Sequence, residues 1–158
     1  FASITRGFIY GGRYPGSPTA FNNAIEFITM STLGNGTDFG DLTVARNSGG
    51  GGSNSIRAIF MGGTTPSAPA GVTTIDYIGI SALGNAVDFG DSIEARNGGD
   101  GGAASPTRIC QAGGNNPSAI NRIDFVNPQT TGDSVDFGDL TAARTYPFGT
   151  SNSHGGII

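Results

Sequence analysis

A phrase of about a dozen residues occurs three times in this sequence and constrains its fold more than any other feature. Each copy contains Asp-Phe-Gly-Asp followed by an arginine, and the copies lie at 34–46, 84–96 and 132–144. The arginines at 46, 96 and 144 define a period of about 50 residues, which is typical of propeller blades or solenoid turns. The chain is therefore predicted to be a repeat array, in which a core forms between stacked units.

The composition predicts an all-β protein with many turns. Glycine supplies 28 of the 158 residues, and the sequence contains no tryptophan and no lysine. Glycine reaches positive φ at low cost, which favours short strands joined by tight connections. The net charge is −4 and the arginines are scattered along the chain, so the sequence does not predict a nucleic-acid partner. The apolar runs are too short for membrane insertion.

The units share one internal order of short antiparallel strands. Each opens with an apolar strand that ends in two glycines, and a variable loop containing proline follows. The next strand carries an acidic residue directly before an aromatic one, and its alternation favours a half-buried strand. The repeated phrase is expected to form a turn and a third strand. The glycine tracts at 49–52 and 98–102 are interpreted as flexible connections.

One repeat array is predicted over residues 1–158. Its units are placed at about 3–54, 55–105 and 106–154, and 155–158 is expected to begin a further strand. These ranges are called unit 1, unit 2 and unit 3 below.

The order of these elements resembles the kelch repeat, whose units are four-stranded propeller blades. The resemblance is carried by the glycine pairs, the acidic-aromatic pairs, the phrase phenylalanines and the arginines. In chain order these are Gly11-Gly12, Glu26-Phe27, Phe39 and Arg46; Gly62-Gly63, Asp76-Tyr77, Phe89 and Arg96; and Gly113-Gly114, Asp124-Phe125, Phe137 and Arg144. Kelch units usually carry tryptophan where the phrase phenylalanines stand. The resemblance implies three blades of a larger or oligomeric β-propeller, because propellers typically have four to eight blades.

The wording of the phrase itself also resembles one that recurs in repeat-bearing structural proteins of bacteriophages, where it is associated with tail fibres and related appendages. This resemblance implies a virion or extracellular location.

The phrase is interpreted as a structural staple between strands or blades. A carboxylate and an arginine present in every unit are expected to form a charge-assisted pair, with the choice between the two aspartates left open. The phenylalanine between the aspartates is expected to fill the gap between blades. The predicted staple residues are Asp38, Phe39, Asp41, Arg46, Asp88, Phe89, Asp91, Arg96, Asp136, Phe137, Asp139 and Arg144.

Catalytic and metal-binding interpretations have weaker support. Asp-Phe-Gly is also a protein-kinase triplet, but the chain has no lysine for the partner role. Acidic turns such as 132–136 contain oxygen ligands suited to calcium, although their spacing matches no EF-hand loop. The single histidine, His154, lies in a polar tract, and the single cysteine, Cys110, is expected to be a small apolar strand residue. No enzyme activity, cofactor or metal is therefore predicted.

The function expected from the sequence is that of a structural or adhesive module in an extracellular or virion fibre. Its expected partners are further copies of itself or further repeats of a longer chain. Surface glycans are candidate ligands of the variable loops, where Arg13 and Tyr14 offer hydrogen-bonding and stacking groups. Two alternatives stay open: a carbohydrate-active enzyme on a propeller scaffold and an intracellular kelch-type interaction scaffold.

Overall fold

The protein is all-β in the computed structural model, which describes residues 5–17, 20–99 and 102–151. The strands are β1 (Arg6–Tyr10), β2 (Ala24–Thr29), β3 (Thr37–Asp41), β4 (Gly50–Ser53), β5 (Arg57–Met61), β6 (Val72–Gly79), β7 (Val87–Arg96), β8 (Ala103–Ala104), β9 (Ile109–Ala112), β10 (Arg122–Val126) and β11 (Val135–Asp139). No helix that could cross a membrane occurs among these described residues. The further strand predicted at 155–158 and His154 lie outside them.

The strands form three antiparallel sheets, in which neighbours along the chain are hydrogen-bonded neighbours in the sheet. The first sheet has the order β1-β2-β3, the second β4-β5-β6-β7, and the third β11-β10-β9-β8. The predicted opening, second and third strands of every unit are present at the expected places, which confirms the short antiparallel strands inferred from the sequence.

The glycine tract at 49–52, interpreted above as a flexible connection, is instead largely a buried strand. β4 pairs with β5 from Gly50↔Met61 to Ser53↔Ala58, although it lies in the range assigned to unit 1. A Cβ on Gly52 would lie 3.0 Å from Ala104 Cβ and from Ile109 Cγ2, so the absence of a side chain lets the third sheet approach. The tract at 98–102 includes residues outside the described part, and β8 begins just after it.

The core consists of two apolar clusters on opposite faces of the second sheet. Ala58 and Phe60 of β5 belong to the cluster shared with the first sheet, whereas Ile59 and Met61 belong to the cluster shared with the third sheet. All four side chains are completely buried. The second sheet is therefore enclosed between its neighbours, as alternating side-chain directions in a strand require.

Candidate functional site

The arginine of each phrase closes its own unit through its backbone. Its carbonyl accepts a hydrogen bond from the second glycine of the pair that ends the opening strand. The N···O distance is 3.0 Å in Gly12–Arg46, Gly63–Arg96 and Gly114–Arg144. The glycine pairs have φ values between 61° and 108°, a region that side-chain-bearing residues seldom adopt. The paired glycines thus fix where the arginine stands at the end of the unit.

The arginine side chain extends away from its own unit into the next one. Arg46 Nη1 lies 2.8 Å from Asp76 Oδ2, and its Nη2 donates to the Phe60 carbonyl at 3.3 Å. Both charged side chains are fully buried. Thr43 adds two bonds to the same carboxylate, from its hydroxyl at 2.6 Å and its backbone N–H at 3.2 Å. Asp76 is therefore held by two residues of the preceding unit.

The same arrangement joins unit 2 to unit 3. Arg96 pairs with Asp124, and both side chains are again fully buried. Arg96 Nη1 also donates to the Gly113 carbonyl at 3.0 Å, and Glu94 lies 3.6 Å from Nη2. A buried pair of opposite charges with these additional hydrogen bonds is costly to break from one side.

The prediction that an aspartate of the phrase would pair with the arginine was wrong. None of the six phrase aspartates forms an ion pair with a described arginine. The partners are the acidic residues before the aromatics in β6 and β10, Asp76 and Asp124. Both belong to the unit after the arginine, so the pairs connect successive units, which is one of the two predicted arrangements of the staple.

A β-bulge gives these carboxylates their position. The register shifts between Ile75 and Asp76, where Gly90 and Asp88 are the successive partners, so Phe89 is the extra residue of β7. Equivalent shifts occur between Ile25 and Glu26 and between Ile123 and Asp124. A bulge re-aims side chains locally, and here it recurs directly before each acidic residue.

The backbone of the phrase contacts the turn that begins the next copy of the phrase. Gly84 N–H donates to the Phe39 carbonyl at 2.9 Å, and Ala86 N–H to the Asp41 carbonyl at 2.7 Å. In return, Asp41 N–H donates to Asn85 Oδ1 at 3.0 Å. The second interface repeats these bonds as Gly132–Phe89 (2.7 Å), Ser134–Asp91 (2.9 Å) and Asp91–Asp133 Oδ1 (2.9 Å).

The phrase phenylalanines occupy the same place in each sheet but differ in burial. Phe39 and Phe89 are 2% exposed, whereas Phe137 is 51% exposed. Each makes an edge-to-face contact with the aromatic of the neighbouring strand, in Phe27–Phe39, Tyr77–Phe89 and Phe125–Phe137. Phe39 and Phe89 are therefore buried at the junctions with a following unit, which is the position expected for them. Phe137 lies on the outer face of unit 3.

A second repeated arginine was missed by the sequence analysis. Arg6, Arg57 and Arg108 each place the guanidinium over the aromatic ring of the second strand, at 4.6, 4.7 and 5.1 Å from its centroid. Such contacts are favourable where the ring is partly desolvated. The signal was present in the sequence, because an arginine stands at the start of the opening apolar strand of every unit.

Burial also changes the titration of two groups. It raises the pKa of Asp124, because its desolvation outweighs the opposing effects of Arg96 and Ser134. It likewise raises the pKa of Cys110, which lies in β9 as expected. A raised pKa keeps this thiol protonated at neutral pH and makes it a weak nucleophile.

A cavity of about 300 Å³ opens where the loops after the glycine pairs of units 1 and 2 meet the segments that follow the phrase arginines. Its described lining residues are Arg13, Phe21, Ser48, Thr64, Thr65, Pro66, Pro69, Asn97 and Tyr146. Of the two predicted loop residues, Arg13 lines this cavity with its guanidinium 5.0 Å from the Phe21 ring centroid. Tyr14 is not among the described lining residues, and its hydroxyl donates to Asn22 Oδ1 at 3.2 Å.

Two of the lining residues, Ser48 and Tyr146, belong to a ladder of hydrogen-bonded residues with left-handed backbone conformation. Ser48, Gly98 and Tyr146 each stand two residues after a phrase arginine and have φ values of 55°, 61° and 50°. Gly98 N–H donates to the Ser48 carbonyl at 2.8 Å, and Tyr146 N–H to the Gly98 carbonyl at 2.9 Å. Ser48 and Tyr146 are the two non-glycine residues with positive φ in the described chain. Such conformations cost about 1–3 kcal/mol each and concentrate at ligand-binding sites.

No cluster of three or more His, Cys, Asp or Glu arranged to hold a metal occurs within residues 5–17, 20–99 and 102–151. The acidic turn at 132–136 instead uses Asp133 Oδ1 to accept the Asp91 amide.

Comparison of the sequence with protein-family models and with curated proteins gave no match.

Proposed function

We propose that this chain is a non-enzymatic structural and adhesive repeat module of an extracellular or virion fibre, built as three kelch-like blades of a β-propeller. The observation that carries the proposal is the recurrence of one interface at both internal junctions, with the same backbone bonds and the same buried arginine-aspartate pair. Antiparallel meanders that stack face to face agree with propeller blades. The resemblance of the phrase to those of phage appendage proteins supports the virion setting.

The repeated charged groups support a structural role. Asp76 accepts bonds from Arg46 and Thr43, and its side chain is completely enclosed. A group that is fully buried and held by protein donors is not positioned to meet a substrate. The same pair recurs at the next junction, as expected for a group that holds stacked units together.

The adhesive role is assigned to the loop cavity, and saccharides are the proposed ligand class. Tyr146 is 53% exposed at the cavity wall and offers an aromatic face against which a sugar ring can stack. Arg13, Thr64 and Asn97 supply polar groups around the same space. Aromatic surface with a few convergent polar groups is the general composition of small-ligand sites. The described lining contains no carboxylate, whereas glycoside hydrolysis usually needs a pair of them, so binding is favoured over turnover.

Two tyrosines provide a matched test of this site. Tyr14 and Tyr146 are 52% and 53% exposed, but Tyr146 lines the cavity and Tyr14 does not. The chain is titrated with a panel of mono- and oligosaccharides while backbone amide shifts are followed by NMR. We expect shifts at Thr64, Thr65 and Asn97 that saturate with at least one sugar, loss of saturation in Tyr146→Ala, and unchanged binding in Tyr14→Ala.

Two results would contradict the assignment. If no sugar of the panel shifts the cavity residues, or if Tyr14→Ala weakens binding as much as Tyr146→Ala, the adhesive role is not located in this cavity. Release of reducing ends from a bound oligosaccharide would favour the carbohydrate-active enzyme instead.

A further inference from the structure

The outer face of unit 3 repeats the groups with which units 1 and 2 hold their successors. It carries the Phe137 carbonyl, the Asp139 amide and carbonyl, and the Arg144 guanidinium at the phrase positions described above. Arg144 is exposed and forms no ion pair with a described residue. A Cβ on Gly138 would meet no described atom within 4 Å, whereas a Cβ on Gly90 would lie 2.5 Å from the Gly132 carbonyl group. No described residue covers this face, which is thus a copy of a surface that is covered twice within the chain.

The outer face of unit 1 carries the complementary groups. Glu26 stands at the position of Asp76 and Asp124, is exposed, and pairs with no described cation. The turn at 34–36 presents two donors, Gly34 N–H and Gly36 N–H, and one acceptor, Asn35 Oδ1. The equivalent groups form hydrogen bonds with the preceding unit at both internal junctions. The Glu26 carboxylate already lies beside this turn, because a Cβ on Gly36 would be 2.7 Å from Glu26 Oε2.

A hydroxyl group provides a second, independent match. At the first junction Thr43 donates its hydroxyl to Asp76, and the facing turn position is Ala86. At the second junction the threonine position is Ile93, and Ser134 on the turn donates to Asp124 at 3.2 Å instead. Each junction therefore has one hydroxyl for the buried carboxylate. The outer faces preserve this rule, since unit 3 has Thr141 and unit 1 has Gly36 at these positions.

We infer that the outer face of unit 3 docks onto the outer face of unit 1 of a second copy of this chain, and the reverse, so that two chains close a ring of six units. Arg144 then pairs with Glu26 of the other copy, and Phe137 is covered as Phe39 and Phe89 are. A head-to-tail interface closes into a ring when its rotation allows. Six units lie within the range of four to eight blades found in propellers, whereas three do not. This inference rests on the proposed stacking function and adds the partner to it.

The test is the molar mass of the chain in solution, measured by sedimentation velocity and by light scattering over a concentration series. We expect a species of twice the 15.9 kDa chain mass. Arg144→Glu and Glu26→Arg are each expected to give single chains. Asp88→Arg is the control, because Asp88 is exposed and lies in unit 2, away from both outer faces; it should keep the paired state.

Mixing the two charge variants separates this geometry from other dimers. In a mixed pair, the acidic side chain introduced at position 144 of the first variant would face the basic side chain introduced at position 26 of the second. The native Arg144 and Glu26 would face each other at the other junction. A one-to-one mixture should therefore recover the double mass that neither variant reaches alone.

Three results would overturn the inference: a wild-type chain that stays single at its highest attainable concentration, a series of larger species, or a mixture that does not recover the pair. Circular dichroism of both variants should match the wild type, which shows that loss of mass is not loss of folding. A single wild-type chain would leave the internal stacking role standing, because that role is tested separately with Asp76→Asn.

Discussion

Arg46 and Asp76 form a completely buried ion pair across the junction between two repeat units, with 2.8 Å between Nη1 and Oδ2. Thr43 holds the same carboxylate through two further hydrogen bonds. The pair places a full positive and a full negative charge in an interior where neither can be solvated, so each residue depends on the other for its stability.

Asp76→Asn should therefore be strongly destabilising. The amide has nearly the shape of the carboxylate but leaves the Arg46 charge uncompensated, which costs about 3–5 kcal/mol for a buried pair. Asp88 is the matched control, because it lies in the same unit and is exposed. Asp88→Asn should change the free energy of unfolding by no more than about 0.5 kcal/mol. Urea unfolding followed by circular dichroism measures both, and equal effects would contradict the assigned role of Asp76.

The contact between the phrase and the next turn can be tested at Gly90. A Cβ there would lie 2.5 Å from the Gly132 carbonyl group, which belongs to the backbone and cannot move aside without shifting a unit. Gly84 also has a large positive φ, 158° against 147°, but a Cβ on it would meet no atom of the described residues within 4 Å. Gly90→Ala should therefore cost about 1–3 kcal/mol more than Gly84→Ala, as overpacking does. Thermal unfolding gives the comparison, and equal losses would mean that backbone conformation alone explains the glycine.

The hydroxyl that binds the buried carboxylate comes from the phrase at the first junction and from the facing turn at the second. This difference predicts that a second substitution can restore the stability lost by a first. Ser134 accepts from the Ile93 amide at 3.0 Å and donates to Asp124 at 3.2 Å. Ser134→Ala should cost about 1–3 kcal/mol, because a hydrogen bond to a buried charge is lost. Adding Ile93→Thr recreates the arrangement of Thr43 and Ala86 and should restore most of that loss. A double-mutant cycle from urea midpoints measures the coupling, and additive effects would show that the two positions act independently.

The raised pKa of Asp124 predicts a response to acid that the first junction does not share, because Glu94 stays 3.6 Å from Arg96 Nη2 when Asp124 is protonated, whereas Arg46 forms no second ion pair with a described residue. A carboxyl whose pKa is higher in the folded than in the unfolded chain binds its proton more tightly when folded. Its contribution to stability therefore increases as pH falls through the folded-state pKa. The stability of the wild type relative to Asp124→Asn should rise as pH decreases from neutral towards about 3.9, where an unperturbed aspartate titrates.

Urea unfolding of both proteins at a series of pH values gives this difference, in which groups common to both cancel. A difference that shrinks on acidification would mean that pairing with Arg96 outweighs burial at this carboxyl.

Periodicity and alternation were sufficient to predict the all-β class and the position of most strands. β4 was not predicted, because a strand of glycines carries no apolar alternation and is defined by the sheets that enclose it. The partner of Arg46 was also missed. The phrase offered nearby aspartates, whereas the true partner is 30 residues away and meets Arg46 because two units stack.

The loop cavity could be predicted only in part. The variable loops were identified as the place for a ligand, and Arg13 lines the cavity. Tyr146 was not identified, since it follows the last phrase and reaches the loops of units 1 and 2 through the backbone ladder of Ser48 and Gly98. Such convergence of distant segments leaves no pattern in the sequence.

The Arg46 and Arg96 side chains both contact the unit that follows their own, so the repeat array has a direction. Every unit has the phrase backbone and its arginine on one side and an acidic residue with the facing turn on the other, so the two sides of a unit are never equivalent. A second copy of unit 1 inserted after unit 1 would meet a fitting surface on both sides without a compensating mutation, because Thr43 would supply the hydroxyl opposite Gly36. In-frame duplication can therefore change the number of units in one genetic event, while the loops of each new copy are free to diverge.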